Sequence, residues 1–234
     1  MKHRRIFVTP DSISPSGVTF APKAVHYLTR VLRLKPGDEV RVFDGKREHI
    51  VRLLCSGRNE LHGEISSSRA AETPNLEITL AFGCIRPRPF QDILRHGTEL
   101  GVSRFVPLLS LRTSRRPEDK KQRWQTIVAS AAAQSGRADL PVVDSPVCFP
   151  EFIRRDVGDT TKLLLSTSPA AAPLFEALQS LDPRPIQLVV GPEGGLAPSE
   201  ESSAVRKGYT AVGLGKGMLR AETAAIVLYE NRES

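Results

Sequence analysis

Two glycine-rich stretches carry the residue types and spacings that could do chemistry. The first is "LVVGPEGGLAPSEE", Leu188 to Glu201: an apolar run, then Gly191, Pro192, Glu193, Gly194 and Gly195, then a helix start near Pro198 with Glu200 and Glu201 in its first turn. Glycines allow positive φ or close approach of a ligand to the backbone. Pro192 stiffens the loop, and Pro198 followed by two acids suits a helix N-terminus. No Gly-Lys-Ser/Thr follows and the spacing is not Gly-x-Gly-x-x-Gly, so neither a Walker loop nor a dinucleotide fingerprint is present. Glu193 would repel a phosphate, so a neutral or cationic ligand fits better; a plain strand-to-helix turn is the reading without a ligand. The second stretch is "LGKGMLRAETAAIVLYE", Leu214 to Glu230, with Gly215 and Gly217 in a loop and a helix from Leu219 that carries Arg220 and Glu222. Arg220 is either a surface charge beside Glu222 or a cation offered to a ligand. Two glycine loops at consecutive strand ends, one with a carboxylate and one with a guanidinium, make a plausible ligand cradle.

The other reactive residue types form no such pattern. Cys55, Cys84 and Cys148 include no Cys-x-x-Cys pair, and His3, His26, His49, His62 and His96 do not cluster. No metal site is expected, and the thiols read as reduced. The chain has 40% hydrophobic and 25% charged residues, as expected of a soluble globular protein. No apolar run approaches the ~18 residues of a membrane span, so no membrane partner is expected. The basic start "MKHRRIFVTP" lacks the apolar segment of a secretory signal, and a cytoplasmic location is expected. Charge is uneven: residues 1–140 hold 24 Lys and Arg against 14 Asp and Glu, and residues 141–234 hold 9 against 12. The first part of the chain therefore offers either a solvated basic surface or a face for a polyanion.

The elements that must position these groups change rhythm along the chain. Residues 1–72 read as short strands at 5–8, 18–20, 38–44, 49–55 and 60–66 with one helix at 22–32, which suggests a small barrel. "SSSRAAETPN", 66–75, reads as a linker. From residue 73 onward, apolar strands at 76–82, 104–109, 162–166, 186–190 and 210–214 alternate with helical patterns at 89–101, 117–136, 149–156, 173–180, 198–207 and 219–230. That alternation predicts an α/β domain with a parallel sheet, whose ligands bind at the carboxyl ends of its strands. Arg30 and Arg33 fall three apart on the helix predicted over 22–32 and would share a face. Gln134 and Arg137 stand at the end of the helix predicted over 117–136.

The paired "LVVGPEGG" and "LGKGMLRAETA" motifs resemble the signature of the SPOUT methyltransferases, and most closely that of the ribosomal RNA small subunit methyltransferase E family. "YLTRVLRLKPGDEVRVFDG" (27–45), "TELGVSRFVPLLSLRTSRR" (98–116) and "AAAQSGRADLPVV" (131–143) extend the resemblance, in the family's order, over nearly the whole chain. The resemblance implies a PUA-like RNA-binding β-barrel over 1–72 and a SPOUT domain with a deep trefoil knot over 73–234. It implies S-adenosylmethionine held by three loops: Leu165, Ser166 and Thr167 in the first, Gly191, Glu193, Gly194 and Gly195 in the second, and Leu214, Gly215, Met218 and Leu219 in the third. It further implies an active site at a homodimer interface and methylation of N3 of a uridine in 16S ribosomal RNA, with naked RNA or an assembled 30S subunit as partner. In that setting Arg220 is the candidate catalytic residue, favouring the anionic base, and Arg5, Arg30, Arg33, Gln134 and Arg137 are candidate RNA contacts. The rival readings are a SPOUT enzyme acting on another RNA or on a ribose 2′-hydroxyl, and a non-catalytic RNA-binding assembly factor. The chain departs from the family at 85–97, where Arg86, Arg88 and Arg95 stand in place of the usual lysines, at Lys216-Gly217-Met218, and at Ala197, where a serine cap is usual.

Overall fold

The computed structural model describes residues 5–54, 61–72, 76–84, 86–113, 121–179 and 184–213. The chain falls into two compact units, residues 1–73 with 129–140, and residues 74–128 with 141–234.

The first unit is built on a curled six-stranded sheet. Its order is Arg5–Phe7, Glu39–Phe43, Arg47–Leu53, Leu61–Ala70, Gly17–Phe20 and Ile13–Ser14, with every pairing antiparallel except the first. Alternation puts Val40, Val42, Val51 and Leu53 on the buried face, where they meet Val18, Phe20, Leu28 and Leu61. Strand Leu61–Ala70 runs through most of the stretch expected to be linker. Its outer half pairs by polar contacts instead of apolar ones: Glu48 faces Arg69, whose Nε donates to the Glu48 carboxylate at 2.8 Å, and His49 faces Ser68. A second small cluster joins Phe43 to Ala132 and Ala138.

The helix expected over 22–32 is shorter and less regular. Pro22–His26 is α-helical, after which the turn widens: the Leu32 N–H donates to the Tyr27 carbonyl at 2.9 Å. Arg33 lies beyond the helix end with φ of 54°, in the left-handed region. The expectation that Arg30 and Arg33 share a helical face is therefore corrected. The chain reverses at Arg33, so that Leu34 is buried and its N–H reaches the Leu28 carbonyl at 2.9 Å.

The second unit carries a parallel sheet. Its order is Val147–Cys148, Arg104–Leu109, Ile78–Gly83, Ile186–Val190, Thr161–Leu165, Thr210–Gly213 and Ala172–Pro173, with Val142–Val143 beside the start of Arg104–Leu109. Every residue of Ile186–Val190 is buried, as the centre of a sheet covered on both faces requires. Helix Pro87–Glu99 buries Phe90, Ile93, Leu94 and Gly97 at helical spacing, and Phe90 lies between Phe82 and Trp124 with ring centroids 5.0 and 4.8 Å away. The predicted helix at 149–156 is a single turn, Phe149–Phe152.

Two features of this sheet create a site. Strand Ile78–Gly83 leads through helix Pro87–Glu99 to a strand on one side, whereas its neighbour Ile186–Val190 leads through helix Pro198–Arg206 to a strand on the other. Connections that diverge in this way open a crevice at the carboxyl ends of the two strands. In addition, Thr210–Gly213 lies between Thr161–Leu165 and Ala172–Pro173, two strands separated by only residues 166–171. That short loop crosses the carboxyl end of Thr210–Gly213: the Ser166 N–H donates to the Val212 carbonyl at 2.9 Å, and a Cβ on Gly213 would stand 3.6 Å from the Ala171 Cβ. The threading that makes a knot depends on residues 214–234, which lie outside the described residues.

Candidate functional site

The Gly191–Gly195 loop stands at the divergence point. Gly83, at the end of the neighbouring strand, is pressed against it: a Cβ there would fall 2.3 Å from the Pro192 nitrogen, so glycine is required for the two loops to close up. The Gly195 N–H donates to the Pro192 carbonyl at 2.8 Å and closes a turn, with Gly195 at φ of 68°. Among the described residues no atom lies within 4 Å of where a Cβ on Gly195 would stand. Glu193, Gly194 and Gly195 are exposed while Pro192 and Leu196 are buried, so the loop is anchored at both ends and presents its middle.

Three side chains hold this loop and its neighbour: Arg112, which the motif reading gave no role, and Glu200 and Glu201, which it read only as helix first-turn acids. Arg112, on the turn after strand Arg104–Leu109, donates through one guanidinium nitrogen to the Gly194 carbonyl at 2.8 Å and to the Leu196 carbonyl at 3.3 Å. Glu200 is buried and accepts from the Leu111 N–H at 2.9 Å with one carboxylate oxygen and from the Ala197 N–H at 2.9 Å with the other. Ala197 has no side-chain acceptor of its own, so half of a capping box survives its departure from serine. Glu201 accepts from the Ser166 hydroxyl at 3.1 Å, which ties the 166–171 loop to the first turn of helix Pro198–Arg206. Apart from the local Ala197–Glu200 contact, no periodicity or motif marks these contacts, because each joins residues more than 30 apart in sequence; Arg112 lies inside a segment that carried the family resemblance, with no role attached to it.

The structure thus brings two of the three expected loops together at the carboxyl ends of neighbouring strands. Leu165 is half-buried, Ser166 buried and Thr167 exposed in the first; Gly191, Glu193, Gly194 and Gly195 form the second. Leu214, Gly215, Met218, Leu219 and Arg220 lie outside the described residues. Cys84, next to the crevice, is fully buried, and burial pushes its thiol up to about 12, so it is protonated and not a nucleophile at neutral pH. Glu200 and Glu201 are engaged as acceptors, and no general base stands out among the described residues. Among the described residues no group of His, Cys, Asp and Glu is arranged to hold a metal ion.

The candidate RNA contacts divide. Arg30, Arg33 and Gln134 are exposed. Arg5 is corrected: it is 8% exposed, pairs with the Glu48 carboxylate at 2.8 Å, donates to the Gly136 carbonyl and to the Arg137 carbonyl at 3.1 Å, and stacks over Phe43. Burial lowers its pKa while Glu48 opposes the shift. Its charge is spent inside the first unit, and a phosphate has no access to it. Arg137 is also engaged, with Asp139 at 3.1 and 2.5 Å, so a phosphate would have to displace a bidentate carboxylate. Arg86 and Arg88 are exposed, and Arg95 pairs with Asp92 at 2.9 Å.

Known proteins place this arrangement. The family model of an RNA methyltransferase domain matches residues 71–231, and that of an RNA methyltransferase PUA domain matches residues 21–66. The chain is 39% identical over 229 residues to the ribosomal RNA small subunit methyltransferase E of Synechocystis sp., covering 95% of this chain and 75% of that one. It is 28% identical to that of Rickettsia conorii, over 97% and 93% of the two chains. Among solved structures, the ribosomal RNA small subunit methyltransferase E of Neisseria gonorrhoeae bound to S-adenosyl methionine superposes with a TM-score of 0.84 at 32% identity, covering 97% of this chain and 95% of that one. A parallel sheet with its glycine loop at the divergence point, a curled N-terminal sheet and relatives matched along almost their whole length lead to one assignment: the chain belongs to the ribosomal RNA small subunit methyltransferase E family, with the SPOUT fold.

Proposed function

We propose that this protein is an S-adenosylmethionine-dependent methyltransferase that methylates N3 of a uridine in 16S ribosomal RNA. The observation that carries the cofactor reading is the Gly191–Gly195 loop, held open and exposed at the divergence point of the sheet. Its chemistry fits S-adenosylmethionine: the exposed carboxylate of Glu193 suits a cationic sulfonium and would oppose a phosphate, and backbone amides and carbonyls of the loops can read an adenine edge. Leu165, Ser166, Thr167, Gly191, Glu193, Gly194 and Gly195, with Leu214, Gly215, Met218 and Leu219, are the cofactor contacts of this reading.

S-adenosylmethionine supplies an electrophilic methyl group. N3 of uridine is a weak acid that must lose its proton before its lone pair can form the new N–C bond as the S–C bond breaks. In this reading Arg220 stabilises the anionic base, a role that needs a fixed cation in a dry site. The proton leaves to water in the absence of an assigned base. Residues 1–72 form the RNA-binding domain and residues 73–234 the methyltransferase domain, two copies of the chain complete the active site, and the ribosomal substrate puts the enzyme in the cytoplasm.

The test is nucleoside mass spectrometry of ribosomal RNA from a deletion strain, incubated as naked 16S RNA and as 30S subunits with the purified protein. The expected product is 3-methyluridine at one site. A ribose-methylated nucleoside, or product in another RNA only, would replace the proposed reaction with a related one, and no product from either substrate would favour an assembly factor.

A further inference from the structure

We infer that Tyr27, on the exposed helix face that also carries Arg30, is a stacking platform for an unpaired base of single-stranded RNA, with Arg33 at the following reversal as a further exposed cation. This deepens the proposed RNA-binding role of the first unit and rests on it. Inward-facing Leu28, with Ala24, Val25 and Leu32, packs this helix on the core. Of the remaining positions, Lys23, His26, Tyr27, Arg30 and Val31 are exposed. Tyr27 is 41% exposed and Val31 58%, and Tyr27 is the only aromatic residue among the large exposed apolar side chains of the described residues. From residue 12 to residue 37 the sequence contains no Asp or Glu, yet it contains Lys23, Arg30, Arg33 and Lys35. Neither Arg30 nor Arg33 makes an ion pair among the described residues. A π-face beside uncompensated cations is complementary to an unstacked base on its phosphate chain, whereas a duplex hides its base faces.

The backbone supplies an independent observation. Arg33 is the only non-glycine residue with positive φ among the described residues. A glycine at such a helix-ending position would carry no Cβ penalty. An arginine kept there at the expense of backbone strain points to a use for its side chain outside the turn. The widened turn that starts at Tyr27 is the kind of helix irregularity found at functional sites.

The experiment measures binding of the full chain to a labelled single-stranded RNA of about ten nucleotides and to a hairpin duplex of matched length, over a salt series. Tyr27→Ala is expected to weaken single-strand binding roughly 5- to 150-fold, as loss of one stacking contact does, with the salt slope unchanged and duplex affinity within about twofold. Tyr27→Phe retains the ring and should keep single-strand affinity. Arg33→Gly should leave the melting temperature unchanged or raise it, while flattening the salt slope by about 0.7. Wild-type single-strand affinity in Tyr27→Ala, or an equal loss on duplex and single strand, would overturn the platform while leaving the RNA-binding role intact. A wild-type chain without salt-dependent binding to either RNA would instead overturn the role on which the platform rests.

Discussion

Gly195 shows how one torsion angle and one empty volume make a testable site. At φ of 68° and with no atom of the described residues within 4 Å of its Cβ, a valine there is strained by the left-handed backbone and projects its branches into the space a ligand would use. Gly195→Val is therefore expected to remain folded, with a small loss of melting temperature, and to lose most of its affinity for S-adenosylmethionine by calorimetry. Unchanged affinity in the folded variant would move the cofactor elsewhere. Arg220 calls for the opposite signature. If its guanidinium acts on charge that develops in the transition state, Arg220→Ala lowers turnover on the order of 10²–10³ with cofactor affinity preserved; a parallel fall in both would make it a cofactor or structural residue. Sequence alone gave the glycine loop its chemistry because glycine, proline and glutamate act through local geometry and charge. It misassigned Arg5 because a basic residue near the chain start has no local mark of burial, and the contacts that bury it come from Glu48, Gly136 and Arg137.

Between elements, the turn at 110–113 braces the candidate cofactor loop by two contacts of different cost. Glu200 is buried and satisfies two backbone N–H groups, so Glu200→Ala strands both donors and should destabilise the protein by about 2 kcal/mol. For a chain of this size that is a fall in melting temperature of roughly 4–8 °C, readable by circular dichroism. Arg112 is exposed, and water replaces its hydrogen bonds cheaply. Arg112→Ala should leave the melting temperature nearly unchanged, yet weaken S-adenosylmethionine several-fold by releasing the Gly194 carbonyl. An Arg112→Ala variant with wild-type cofactor affinity would reduce the brace to a surface contact. The five longer strands of the second unit were legible to within two residues, since Ile186–Val190 and its neighbours are apolar runs; the two-residue strands Val142–Val143, Val147–Cys148 and Ala172–Pro173 were not, being too short to carry a pattern. The outer half of Leu61–Ala70 was not: its cross-strand partners are polar, so it has no apolar alternation and reads as linker. The reversal at Arg33 was equally hidden, because arginine is a good helix former and nothing local to it predicts a left-handed turn.

At the scale of the whole molecule, charge and association divide between the two parts of the chain. The basic excess lies in residues 1–140 and the remainder is slightly acidic, so the proposed function would have RNA drawn to the first part and a cationic cofactor meet the other. The resemblance puts the active site at a homodimer interface, and the apolar helix pattern at 219–230 is the part of the sequence with a long apolar face to offer one. Exposed apolar residues of the described part of the second unit, Leu111, Val142 and Val205, are scattered singly along the chain, as on any monomer surface, and do not argue for a second interface. A dimer formed through 219–230 alone has a concrete consequence. Light scattering at micromolar concentration should return twice the 25.7 kDa of the chain, and replacing Ile226 and Leu228 together by charged residues should return the chain mass. Because two copies are proposed to complete each active site, the monomeric variant should lose methyl transfer while RNA binding by the first unit persists, with its salt slope unchanged. A wild-type protein of 25.7 kDa that still methylates RNA would show that one chain holds a complete site.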